Sequence, residues 1–225
     1  MNITFYGHAC FGIQINGTHI LVDPFISGNP KASHIEIDSL KADYILITHA
    51  HQDHVLDVEK IAQNTGAIIV SNFEIVNYFI TKNLKGFHLN HGGTFKTEHF
   101  SAKYVNAIHT SSFADGTYGG QPGGFVLTAK DKSIYISGDT AVNFDMKLIP
   151  MFTDLTVAIL PIGDTFTMDV EEAIIASNFI ECNKIIGCHF NTFPPIEINT
   201  EEAKQQFKSN SKELILLEIG NSINI

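Results

Sequence analysis

Three imidazoles and a carboxylate fall within six positions of one another in the stretch Thr48-His49-Ala50-His51-Gln52-Asp53-His54. Nitrogen and carboxylate donors in this mixture suit a borderline divalent cation such as zinc. The preceding apolar run, Tyr44-Ile45-Leu46-Ile47, reads as a buried strand, so the donors fall on the loop at its end. A strand or helix could not turn all four side chains the same way. A tight loop can present His49 and His51 on one side and Asp53 and His54 on another, with two metal ions close together. A merely solvated loop would need no H-x-H-x-D-H order.

Further candidates stand singly at the ends of other apolar runs. His109 follows Val105-Asn106-Ala107-Ile108, Asp139 closes Ser137-Gly138-Asp139, and His189 follows Lys184-Ile185-Ile186-Gly187-Cys188. Alone, the histidines would more often be core or surface residues, and the aspartate would cap a helix. Their shared position just past a strand makes them candidate ligands beside the 48–54 loop. Asp23, before Pro24, also sits at a strand tip. His8, in Gly7-His8-Ala9-Cys10, is equally readable as a turn histidine with one hydrogen bond. His88, His91 and His99 show no ligand spacing and read as structural or surface residues.

The elements that must carry these residues alternate between two periods. Residues 2–6, 11–15 and 18–22 read as strands, the last two joined by the hairpin signal Asn16-Gly17. Residues 26–42 read as a loop with a short helix near Ser39. Helical spacing follows at 55–64, then a strand at 67–70, a helix at 72–82 and a strand at 86–89. The next strands fall at 94–97 and 99–107, before a glycine-rich loop over 111–124. Strands at 124–129, 133–136, 158–160, 184–187 and 214–217 alternate with helices at 170–179 and 201–209. Several strands and then helices, given twice, predict partly parallel sheets with helices outside.

With 225 residues, 44% hydrophobic and 17% charged, the chain is expected to form one globular domain over 1–225. The formal net charge of −10 argues against non-specific attachment to nucleic acid or an anionic membrane. All fourteen basic residues are lysines, so no guanidinium fork is present to clamp a phosphate. A small-molecule substrate is the expected partner, and a homo-oligomer is compatible with the composition. No apolar run is long enough to span a bilayer, and the start resembles no signal peptide. Cys10, Cys182 and Cys188 are too few and scattered for a disulfide framework. A cytoplasmic location is therefore expected.

Together, these motifs resemble the metallo-β-lactamase superfamily, whose pattern is an HxHxDH loop followed by a later His, a later Asp and a final His. The finer motifs are Gly7-His8-Ala9-Cys10-Phe11, Phe144-Asp145-Met146-Lys147-Leu148, Leu160-Pro161-Ile162-Gly163-Asp164 with Phe166-Thr167-Met168, and Asn191-Thr192-Phe193-Pro194. They look most like the compact branch of metal-dependent hydrolases related to ascorbate-6-phosphate lactonase. The resemblance implies an α/β four-layer αββα sandwich with metals at one edge. It also implies a first metal on His49, His51 and His109, a second on Asp53, His54 and His189, and Asp139 between them. Asp23 would steady the histidine loop from behind. Two divalent ions, zinc or alternatively manganese, would supply a bridging hydroxide that attacks an ester, lactone or phosphodiester-type bond. Asp53 would orient that nucleophile and carry a proton. His8, Tyr118, Asp164 and Thr192 are candidate substrate contacts. The rival expectations are an iron-dependent redox or oxygenase enzyme of the same fold and a non-enzymatic metal-binding protein.

Overall fold

A computed structural model describes residues 1–225. The chain opens with β1 (Asn2–Gly7), β2 (Cys10–Ile15) and β3 (Thr18–Val22), an antiparallel meander whose second turn is Asn16-Gly17. It continues through β4 (Tyr44–Leu46), α1 (Gln52–Val55), α2 (Val58–Thr65), β5 (Ile68–Asn72), α3 (Phe73–Ile80) and β6 (Gly86–Leu89). Strands β3 to β6 run parallel, so helical crossovers join β4 to β5 and β5 to β6.

The second half repeats this plan. Strands β7 (Thr94–Lys96), β8 (Ser101–Asn106), β9 (Gly123–Ala129) and β10 (Lys132–Ile136) are antiparallel. Then β11 (Val157–Pro161), α4 (Val170–Phe179), β12 (Lys184–Cys188), α5 (Thr200–Ser209) and β13 (Glu213–Ile215) continue the sheet in parallel from β10. A last strand, β14 (Ser222–Asn224), crosses back and pairs with β1, giving two seven-stranded sheets.

Burial explains the layers. Alternate residues of both sheets, among them Ile3, Phe11, Ile13, Leu127, Ile134 and Ile186, form the core between the sheets. The opposite face of the first sheet, with Ile45 and Ile69, is covered by Val58, Ile61, Ile75 and Phe79 of α2 and α3. The opposite face of the second, with Ala158, Leu160 and Ile185, is covered by Ala173, Ala176 and Phe207 of α4 and α5. Helix, sheet, sheet and helix therefore stack in the αββα order. No helix is long and apolar enough to cross a membrane.

Four local departures from the sequence-based expectation have physical causes. The helix predicted over 55–64 breaks between α1 and α2, because the Asp57 carboxylate is buried and accepts the Ile26 and Ser27 amides at 2.6 and 2.9 Å. That carboxylate also ties the 26–42 loop down, and the loop holds two single 3-10 turns, Pro30–Ala32 and Ile37–Ser39, instead of one short helix. Residues Phe144–Met151 form a 3-10 stretch that contains Pro150, which a 3.6-residue pattern does not reveal. Strand β14 has too little apolar patterning of its own to announce a strand.

Gly138 follows β10 at φ +62°, and a Cβ there would meet Thr48 Cβ at 2.7 Å and the Gly123 carbonyl oxygen at 2.9 Å. Gly17 shares a positive φ, but a Cβ there would meet nothing within 4 Å. Gly138→Ala is therefore expected to destabilise the metal-free protein by about 1–3 kcal/mol, and more than Gly17→Ala does. Urea denaturation checks this, and equal midpoints for the two variants would contradict it.

Candidate metal centre

Every candidate donor follows the C-terminal end of a strand on one rim of the sandwich. From the first sheet, His8 follows β1, Asp23 follows β3, and His49, His51, Asp53 and His54 follow β4; from the second, His109 follows β8, Asp139 follows β10 and His189 follows β12. The strands point them at a common focus, and the turns hold them there at some conformational cost. His8, Asp23 and His189 all adopt left-handed backbone, with φ of 55°, 43° and 53°. The His189 amide donates to the His8 carbonyl at 2.8 Å, locking two of these turns across the sheets.

Apart from a set that Asp23 makes with His49 and His54, the donors fall into two groups. Ligand atoms of His49, His51 and His109 lie within 4.8 Å of one another, as do those of His8, Asp53, His54 and His189. Asp139 stands between the groups. Its Oδ2 is 3.8 and 3.7 Å from the Nε2 atoms of His49 and His109 on one side, and 3.3 and 3.0 Å from those of His54 and His189 on the other. A tetrahedral zinc site with bonds of about 2.0–2.1 Å has donor–donor edges of about 3.4 Å, so these separations match ligands sharing a cation. The buried Nε2 atoms of His54 and His189 have no hydrogen-bond partner despite this proximity. Buried nitrogens left unpaired and aimed at a shared carboxylate oxygen fit a metal.

Hydrogen bonds behind the ring fix which nitrogen is free. The Asp23 carboxylate accepts the Thr48 amide at 2.8 Å, the Thr48 hydroxyl at 2.6 Å and His54 Nδ1 at 2.9 Å. A carboxylate only accepts, so the Nδ1 proton of His54 is fixed there, and Nε2 is the nitrogen left for a cation once it gives up its own proton. The Thr48 hydroxyl has spent its hydrogen on Asp23, so in its 3.0 Å contact with His49 Nδ1 it accepts, and His49 Nε2 is left basic. Tyr104 supports the same loop by donating to the Thr48 carbonyl at 2.9 Å, and Ser111 accepts the Ala50 amide at 3.1 Å.

His8 is engaged at both ring nitrogens. Nε2 meets Asp53 Oδ2 at 3.1 Å and Nδ1 meets the Thr192 hydroxyl at 2.9 Å, inside a wall made by Phe25, Phe193 and the His189 ring. Burial pushes its pKa down to about 4, so it is a neutral ring that donates from Nε2 to Asp53. Asp53 keeps a partly exposed side chain, whereas Asp139 is buried. Tyr118 and Asp164 form no hydrogen bond or ion pair with the cluster. Tyr118 is exposed and its backbone bridges Ser112, while the Asp164 carboxylate accepts the Thr165 amide of its own turn at 2.6 Å. Their neighbours do flank the centre: Gly119 packs on Ala50 and Gly163 on the His189 carbonyl. Sequence reasoning missed Thr48, Tyr104, Ser111 and Asp57 as supports. Only Thr48, directly before the donors, carried a local signal.

Electrostatics in the metal-free protein follow the carboxylates. Burial alone would lower the pKa of His189, but Asp139 and Asp53 outweigh it and raise it to about 9; Asp139 and Asp23 raise His54 in the same way. His49 is held well below the usual range by burial, with His54 adding repulsion.

With this geometry in place, residues 2–189 match the β-lactamase superfamily domain. The chain belongs to the β-lactamase superfamily. A metal-dependent hydrolase from Flavobacterium johnsoniae is 62% identical over 225 residues, covering 100% of both chains, and one from Christiangramia forsetii is 60% identical, also covering 100% of both. The structure of a metallo hydrolase from the hyperthermophilic archaeon Ignicoccus hospitalis superimposes with a TM-score of 0.90 at 32% identity, covering 99% of this chain and 97% of that one. Within the superfamily, this protein groups with the metal-dependent hydrolases.

Two outcomes are expected. Asp23→Asn, which removes the charge behind His54 and His49, should weaken metal binding about 10–100-fold, read by competition with a chromophoric chelator. Metal ligands must be deprotonated, and His54 and His189 are protonated in the metal-free protein at neutral pH, so loading should release protons and affinity should rise as pH approaches 9. Calorimetry in buffers of different ionisation enthalpy reads this, and a buffer-independent heat at pH 7 would contradict it.

Proposed function

We propose that the centre is binuclear and that it hydrolyses an ester, lactone or phosphodiester-type bond in a small-molecule substrate. The observation that carries this reading is the position of Asp139 Oδ2, within 3.0–3.8 Å of histidines from both donor groups. His49, His51 and His109 would hold one cation, Asp53, His54 and His189 the other, and Asp139 both. Two such ions, when bound, supply an acidified water as nucleophile and a Lewis acid for the scissile bond. A set of five imidazoles and two carboxylates favours zinc over manganese, which prefers oxygen donors.

The chain's own residues account for the rest. Asp53 Oδ2 is pinned by His8, so its carboxylate has a fixed plane, and its partial exposure lets it meet solvent and substrate. Burial alone would raise its pKa, but His189 and His8 outweigh this and keep the group ionised. Asp53 is thereby suited to orient a nucleophile through a lone pair and then pass a proton to a leaving group. His8 and Thr192 are committed to holding Asp53 and to one another, and they act on substrate through that carboxylate. A cavity of about 400 Å³ borders both residues and is lined further by Asn29, Lys31 and His34, where the non-reacting part of a substrate would lie.

Asp139→Ala should lose metal at both positions, whereas Asp53→Ala should retain at least one metal and lose most turnover. Elemental analysis of protein purified without added metal counts the ions and identifies them. Turnover is read on a panel of lactones, phosphodiesters and thioesters. Full dimetal occupancy in Asp139→Ala defeats the shared carboxylate, and unchanged kcat in Asp53→Ala defeats the proton carrier. Iron with a visible absorption band would favour the redox rival. Inactivity of the fully loaded protein across the panel would favour a non-enzymatic metal-binding role.

A further inference from the structure

A second cavity lies on the outer face of the second sheet, beneath the 3-10 stretch Phe144–Met151. Its volume is about 300 Å³, and its walls are mostly apolar, from Val105, Met146, Leu148, Ile149 and Phe152. No donor of the metal centre lines it. We propose that this cavity is a binding site, separate from the metal centre, for a neutral ring-sized apolar molecule that carries one hydrogen-bond acceptor oxygen.

The acceptor is called for by Tyr135. This residue of β10 lines the cavity, is fully buried, and its hydroxyl has no hydrogen-bond partner. The other fully buried phenol, Tyr104, has two carbonyl acceptors, those of Thr48 and Gln121. Buried polar groups left without partners are uncommon and costly, so an unpaired phenol in an apolar wall points to an external partner. Burial raises its pKa, so the hydroxyl stays protonated; it is covered in the ligand-free protein and offers its hydrogen once a side chain of the cavity wall moves aside.

The rim argues for neutrality. Asp145 and Lys103 place one charge of each sign on the rim, and each is held by a neutral group, Asn106 Nδ2 at 2.8 Å and the Gly92 carbonyl at 2.9 Å, so the rim selects for neither sign. Size follows from volume: an apolar cavity of about 150 Å³ accepts benzene, and this one has about twice that room. Entry is eased by the roof, where Met146 is unbranched and adaptable and the 3-10 hydrogen bonds are weaker than those of an α-helix.

The probe is 4′-fluoroacetophenone, a single ring with one carbonyl, added to the full-length metal-loaded protein and followed by fluorine NMR and thermal shift. Saturable line broadening and a rise in Tm are expected, both retained after metal removal. Tyr135→Phe should fold with a Tm no lower than the parent, because it discards an unpaired hydroxyl, and should weaken the probe about fivefold or more. Leu148→Trp, at a half-exposed position on the rim, should fill the mouth and abolish broadening. The proposal is overturned by equal affinity in Tyr135→Phe, by broadening that vanishes with the metal, or by no binding up to the solubility limit of the probe.

Discussion

One buried carboxylate sets the protonation of the metal centre. Asp23 holds the amide and hydroxyl of Thr48 and the Nδ1 proton of His54, and through the Thr48 hydroxyl it also dictates the tautomer of His49. Two of the five histidines thus turn Nε2 inward because of an aspartate that lies behind them. Its own backbone is left-handed, at φ 43°, and its amide is held by the Leu46 carbonyl of β4 at 3.1 Å. Low dielectric makes each of these bonds stronger and each missing one more costly.

The fold serves this constraint by bringing strand ends together. Parallel strands in each sheet deliver their C-terminal ends to the same rim, and the loops that follow, several of them long, are tied down by side-chain hydrogen bonds. Asn72 shows how the ties are made. It caps α3 by accepting the Ile75 amide at 2.9 Å, and its amide donates to the carbonyls of Gly119 and Gln121 at 2.8 and 3.1 Å. A helix start, a glycine-rich loop and, through Gly119, the Ala50 segment become one rigid piece. Preorganisation of this kind lets donors meet a cation without paying for order at the moment of binding.

Much of this was legible in the sequence because the signals are local. The H-x-H-x-D-H loop, the hairpin at Asn16-Gly17 and the strand tips before Asp23, His109, Asp139 and His189 need only a few neighbouring residues to be read. What escaped depends on distant partners. His8 takes its meaning from Asp53 and Thr192, 45 and 184 positions away, and nothing near Gly7 announces them. Asp57 sits inside a run of helical periodicity formed by Val55, Val58, Ile61 and Ala62, and only the chain folding back at Ile26 and Ser27 makes it a break. Asp164 illustrates the opposite case, a carboxylate at a strand tip whose hydrogen bond is spent on its own turn.

The donor set is divided between the two sheets. His49, His51, Asp53 and His54 ride on one, with His8 and Asp23 behind them, and His109, Asp139 and His189 on the other, with the Asn90-His91-Gly92-Gly93 turn joining the layers. With the proposed ligands neither layer would own a complete coordination sphere, so a bound cation would also be a rivet through the sandwich, resisting shear of one layer over the other. Were the polypeptide divided at that turn into two separately made fragments, cation capture would report their reassembly, since neither fragment alone could close the sphere.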